Sequence, residues 1–347
     1  VSTPSPISGP PHPAADPIAL DRILHAYRES QVLITSARLG LFDALDPDGR
    51  PVPLAVIAAA GGVAPERCFV LCEGLVGLGL LVEEGDGYVA GPLAAAHLVP
   101  DASYPLGHWV ASEQTKYVGF AGLAEALRAD PAADDEERLN RRRRGLSAAQ
   151  HQGLGEVARA RTPETLRALC AVLPDAPSRA GRLLDAGGGH GMDAIGVLSA
   201  WPSWTAVLAD RTDATRLAAE NAAGHGVAAR FATRTVDLET DDLGEGYDVA
   251  FLFLVLGGKP AEEALAVLRN VWAALRPGGW VLIRGNWTDR LRAATSALKH
   301  MLRPGGRATM SPERLLELIG QAGFAEAHLV AADGVTERTV VAARRPK

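Results

Sequence analysis

The sequence predicts a two-domain α/β protein, a helical N-terminal domain with a winged-helix pattern followed by an open sheet covered on both faces. Three observations predict it. At 347 residues and 47% hydrophobic content, the chain is too long for one small core. From Arg182 onward, short apolar runs alternate with helical periodicity, as an open α/β sheet requires. Between Pro51 and Ala94, two short helical segments precede a hairpin pattern.

Composition excludes several function classes. Charged residues make up 22%, and no apolar run approaches the roughly 20 residues of a membrane helix. The net charge of −6 gives no broad electrostatic footprint for nucleic acid. Three cysteines rule out a disulfide scaffold and fit a reducing cytoplasm. No charged segment followed by an apolar stretch opens the chain, so no signal peptide is expected.

In order, residues 1–16 are Pro-rich and read as a flexible tail. Residues 17–104 form the first domain. Leu20, Ile23, Leu24, Tyr27, Val32, Leu33 and Ala37 recur at helical steps. A helix, the Gly61-Gly62 turn, a helix opening at Pro65 and a hairpin turning at Glu84 to Gly87 follow. A winged helix invites a DNA-binding reading. The would-be recognition helix, Pro65 to Leu81, is apolar on nearly every side, with Arg67 its only base, so burial is expected instead. Residues 105–178 read as linking helices that contribute to the active site, broken at Asp130 to Asp135. The run Arg141 to Arg144 reads as a solvated helix end or loop. Residues 179–347 carry the sheet and close on a pair of strands.

The most informative segment is Leu183 to Leu198, "LLDAGGGHGMDAIGVL". A strand ends at Asp185, and Gly187, Gly188, Gly189 and Gly191 turn it into a helix. Glycines let backbone approach a ligand and adopt positive φ. The dinucleotide pattern G-x-G-x-x-G fails, because its third glycine would be Met192 or Ala194. The pattern present is D-x-G-x-G-x-G, whose acid would oppose a pyrophosphate and suits a ligand bearing an ammonium group. The next strand ends at Asp210, where a carboxylate can accept two ribose hydroxyls. A third ends at Asp237, where an acid can accept an exocyclic amine of adenine. Each acid alone is a solvated strand end; three at successive strand ends make a site.

These motifs resemble class I S-adenosylmethionine (SAM)-dependent methyltransferases. From about Leu20 the chain resembles the small-molecule O-methyltransferases of caffeate-type and bacterial polyketide-tailoring enzymes. "LRPGGWVLI", "HMLRPGGRATMSPERLLELIGQAGF" and "HQGLGEVARARTPETL" extend the match. The resemblance implies a Rossmann-like class I methyltransferase domain preceded by an α-helical winged-helix-like dimerisation domain, and a homodimer. It also implies SAM as cofactor, held by Asp185, Gly187, Gly189, Gly191, Asp210 and Asp237. A small aromatic or enolic natural product is the implied substrate, with His108, Trp109 and Met301 in its pocket.

One part of the family pattern is missing. The family continues V-L-H-D-W-x-x-E/D-x-A-L after strand four, and its histidine is the general base. Here Val255-Leu256-Gly257-Gly258-Lys259-Pro260-Ala261-Glu262-Glu263-Ala264-Leu265 puts Gly257 at the base position. The acid after strand five is replaced by Gly285-Asn286, and that of the G-G-x-E-R-T stretch has no counterpart in Gly305 to Thr309. His300 is the first replacement candidate and His151 the second. No short H-x₃₋₅-H spacing supports a metal. Without the base, the expectation is methylation by proximity and orientation at oxygen, carbon or nitrogen. The alternative is the non-methylating chemistry some family members perform with SAM bound: hydroxylation, decarboxylation or pericyclic closure. Cys68, Cys72, Trp201, Trp204 and Trp272 read as packing residues.

Overall fold

In the computed structural model, which describes residues 17–129, 148–285, 290–302, 310–330 and 339–347, the chain divides between Ala111 and Ser112. Residues 1–16, the break at 130–135, the arginine run at 141–144, residue 286 and the 305–309 stretch fall outside the described residues.

The first unit opens with α1 (Pro17–Arg38). Ile34 packs on the core from its C-terminal half, whereas Leu20, Ile23, Leu24 and Tyr27 stand exposed on its N-terminal half. β1 (Val52–Pro53), α2 (Leu54–Ala60), α3 (Pro65–Gly77), β2 (Leu81–Glu84) and β3 (Gly87–Ala90) follow in the order read from the sequence. Pro65 fits the first turn of α3 because that position needs no N–H partner. A two-residue turn, Gly85-Asp86, joins β2 to β3, and β1 pairs on the far side of β3. Cys68, Cys72 and Leu75 are buried. The Cys68 and Cys72 sulfurs lie 4.0 Å apart, and burial pushes the Cys72 thiol up to about 12, so both act as small apolar residues. The expected burial of α3 holds on this face only, since Phe69 and Val70 are exposed. After α4 (Pro92–His97), the first turn of α5 (Gly107–Ala121) packs on the same core through Val110 and Trp109.

The second unit holds α6 (Leu123–Arg128), α7 (Ala148–Ala160), α8 (Thr162–Val172), β4 (Gly181–Ala186), α9 (Met192–Ala200), β5 (Trp204–Asp210), α10 (Thr212–Gly224), β6 (Phe231–Thr235), β7 (Tyr247–Phe253), α11 (Ala261–Ala274), β8 (Leu275–Gly285), α12 (Arg290–Met301), α13 (Pro312–Gln321), β9 (Ala325–Val330) and β10 (Thr339–Arg344). Its sheet runs β6-β5-β4-β7-β8-β10-β9. The first five strands are parallel, and β10 is antiparallel to both neighbours. β7 is buried from Tyr247 to Leu252, as a central parallel strand covered on both faces must be.

Alternate strand residues feed two cores. Leu183, Phe251 and Leu282 pack with α8 and α9; Leu184, Ala250 and Ile283 pack with α11 and α13. Burial of each such Leu, Ile or Phe contributes about 1.5–3 kcal/mol relative to exposure. Trp204 is buried and donates its Nε1–H to Ala176 O at 2.9 Å. Strand order reverses between β4 and β7, which opens a crevice at the carboxyl ends of these strands. Among the described residues, no single helix is long and apolar enough to cross a membrane.

Candidate functional site

The crevice is built around the turn after β4. Gly187, Gly189 and Gly191 take φ of 77°, 56° and 75°, a region costly for any residue with a Cβ. At Gly187 a Cβ would also lie 2.7 Å from Val255 Cγ2. At Gly188 it would lie 2.3 Å from the Asp185 carboxyl. The turn is thus a crest of bare backbone between β4 and α9. His190 fastens its far end, its Nδ1 accepting the Met192 N–H at 3.0 Å and so supplying a partner for the start of α9. Burial pushes the His190 imidazole down to about 4, so it stays neutral.

One acid is bonded to the crest and a second follows the neighbouring strand. Asp210, at the end of β5, accepts the Gly189 N–H at 2.9 Å through Oδ2 and the Arg211 N–H at 2.7 Å through Oδ1. The carboxylate is partly exposed and retains lone pairs for further donors. β6 is in register with it, Asp210 opposite Thr235, and Asp237 follows two residues later with its side chain exposed. One Asp237 oxygen, Oδ1, accepts the Glu239 N–H at 2.9 Å.

Asp185 lies beneath the crest, 1% exposed, and its Oδ2 has no partner among the described residues. Burial, then the charges of Asp193 and Asp210, pushes its carboxyl well above the usual carboxylate range against the Ala194 N–H and Arg284. Alongside sits an ion pair that the sequence reading missed. The Arg284 guanidinium, 4% exposed, donates to Asp193 Oδ1 at 2.9 Å and to Thr165 Oγ1 at 2.6 Å, and lies over the Phe253 ring. It ties β8 to the first turn of α9 and to α8. An available signal was the single charge in the apolar run "WVLIRG", since a charge in a buried strand has to be paired.

These groups give a pH-dependent expectation. Between its ordinary value of 3.8 and the raised folded-state value, the folded chain holds a proton on Asp185 that the unfolded chain releases. Stability from this group is complete below 3.8 and is lost as pH rises through the folded-state value. Asp185→Asn removes the loss. Its thermal midpoint at pH 7 should exceed that of the parent, by about 1.4 kcal/mol of stability for each unit of displacement, and the gain should vanish near pH 3. A melting series across pH measures it; a variant less stable than the parent at neutral pH would contradict a raised Asp185 value.

The other sequence-predicted residues lie as follows. His151 is on α7, 8% exposed, against Gly189. His300 and Met301 end α12 and are half-buried. His108 is exposed, and Trp109 packs on the core of the first unit. After β7, Leu254 holds φ 62°, with its N–H bonded to Arg284 O at 3.0 Å. Gly257 and Gly258 follow. Lys259 pairs with Glu239 at 2.6 Å, which links this loop to the one bearing Asp237.

A model of the O-methyltransferase dimerisation domain matches residues 21–100, and one of a methyltransferase domain matches residues 158–329. The chain is 27% identical over 330 residues to the N,N-dimethyltransferase OxyT of Streptomyces rimosus, covering 90% of this chain and 92% of that one. It is 28% identical over 289 residues to the L-tyrosine C(3)-methyltransferase of Streptomyces lavendulae, covering 80% of this chain and 78% of that one. The crystal structure of human N-acetylserotonin methyltransferase in complex with SAM shares the fold, with a TM-score of 0.79 and 20% identity over 97% of this chain and 100% of that one.

Proposed function

Because the chain belongs to the small-molecule O-methyltransferase family, we propose that it methylates a small aromatic or enolic natural product, with SAM as donor. The observation that carries this reading is the bare crest from Gly187 to Gly191, with Asp210 bonded to it at the end of β5 and Asp237 two residues beyond the end of β6. These residues fit a nucleoside-bearing donor, because Gly187, Gly189 and Gly191, all at positive φ, keep the crest free of side chains. Bound there, SAM supplies a methyl group activated by its sulfonium centre.

The chain's own residues do the rest. Gly187, Gly189 and Gly191 admit the methionine part. Asp210, already oriented by two N–H donors, accepts ribose hydroxyls, and Asp237 accepts the adenine amine. Asp185 supports the crest from below. With Gly257 at the family's base position, holding the two reactants in line is the main contribution. An acidic phenol, an enol or an amine reacts this way without the roughly 10²–10⁴-fold that a positioned base supplies. Where a proton has to be taken, His300 beside Met301 is the first candidate. Relatives that methylate at nitrogen and at carbon support leaving the acceptor atom open among O, N and C. A homodimer accounts for the apolar residues exposed on α1 and α3 in a chain that carries a dimerisation domain.

Asp210→Ala should weaken SAM binding about 10- to 100-fold, by loss of charge-assisted hydrogen bonds to the sugar. Titration calorimetry reads it, and unchanged affinity would refute the acid assignments. The reaction itself is tested by counting S-adenosylhomocysteine against product over a panel of phenols, enols and amines. Methyl transfer gives one for one. Product without S-adenosylhomocysteine would favour the second reading, non-methylating chemistry, which the Gly257-Gly258 replacement supports.

A further inference from the structure

We propose that His151 binds the sugar of the donor nucleoside, acting opposite Asp210 across Gly189. The inference rests on the reading of the glycine crest as the donor site and adds a residue to it. Helix α7 comes close to the crest because Gly155 has no side chain; a Cβ there would lie 3.3 Å from Met192 Cγ and 3.6 Å from His190 Cγ. His151 is one turn earlier, at i−4, and so points from the same face of the helix.

A Cβ on Gly189 would lie 3.7 Å from both Nδ1 and Cε1 of His151, in ordinary contact. The N–H of that same glycine is held by Asp210. Two polar side chains therefore border one stretch of bare backbone, an arrangement suited to two neighbouring hydroxyls.

The Nδ1 atom of His151 is buried and has no hydrogen-bond partner among the described residues. Buried polar atoms are nearly always paired in native proteins, and an orphan at a ligand crevice points to the ligand as its partner. The charged and titratable groups around it are Asp210 at the end of β5, Arg211 and Asp213 at the start of α10, and His190 in the crest. Burial lowers the His151 pKa, with Asp210 and Asp213 opposing, so the ring is neutral near pH 7 and offers one donor and one acceptor. The place beside Gly189, and the Nδ1 unpaired among the described residues, are what put His151 with the donor.

The test compares S-adenosylhomocysteine with 5′-methylthioadenosine, which keeps the nucleoside and lacks the amino-acid end, by calorimetry. His151→Leu should weaken both ligands about tenfold, with the thermal midpoint unchanged. His151→Asn, whose amide falls at the Nδ1 position, should stay within about threefold of the parent, whereas His151→Gln should not. If His151→Leu does not fold, the Asn and Gln pair decides alone. A penalty on S-adenosylhomocysteine only would put His151 at the amino-acid end and overturn the proposal, as would equal affinities throughout or a Gln variant that binds better than Asn. A parent protein that binds neither ligand would mean instead that the donor site itself is wrongly assigned.

Discussion

Arg284→Met is expected to destabilise the second unit by about 3–5 kcal/mol, the range for removing one partner of a buried ion pair. Both side chains of the pair are shielded, 3% exposed for Arg284 and 12% for Asp193, so water screens neither charge. Methionine fills much of the volume and keeps a contact with Phe253. It leaves Asp193 as a carboxylate with no cation, next to Asp185, and leaves Thr165 Oγ1 without its donor. Calorimetric melting should show a fall on the order of 10 °C for a unit of this size. The double change Arg284→Met with Asp193→Leu should recover most of it, because no unpaired charge then remains. A single variant within about 1 kcal/mol of the parent would show that the pair is not buried as described.

Gly187→Ala is expected to cost less stability and more function. The new Cβ meets Val255 Cγ2 at 2.7 Å, and φ is 77°. Left-handed strain and overpacking together cost about 2–4 kcal/mol. Where the crest relieves the contact by moving away from Val255, it shifts the backbone on which the proposed donor rests. A displacement of about 1 Å lowers turnover on the order of 100-fold. Gly224→Ala is the control. A Cβ there meets nothing within 4 Å at the end of α10, so binding should be unchanged. Equal donor affinity in the Gly187 variant, read by calorimetry, would mean that the donor does not rest on this turn.

The parts of this architecture legible in the sequence are those governed by local pattern. The strand-helix alternation, the hairpin after Pro65 and the glycine turn each depend on residues within a few positions of one another. Asp210 stands out in the sequence because it directly follows the apolar run Ala206 to Ala209, and Asp237 because it follows the strand-like stretch ending at Val236. What was not legible depends on long-range pairing. Arg284 meets residues 91 and 119 positions away, and "LIRGN" on its own shows only that an acid is missing. The burial of Asp185 follows from Gly188 folding back over it, which the motif does not reveal. The apolar pattern of α3 does not show which of its faces packs within the chain; Phe69 and Val70 are exposed and Cys68, Cys72 and Leu75 are buried.

The placement of β10 has a consequence for the order of assembly. It lies between β8 and β9, although it follows both in the chain. During synthesis, the five parallel strands can associate as they emerge, but β9 has no neighbour until residues 339–344 have left the ribosome. Until then β8 presents an unpaired edge, where a strand from another nascent chain can add. Strand β10 therefore both covers the edge of β8 and gives β9 its neighbour, leaving β9 as the edge on that side.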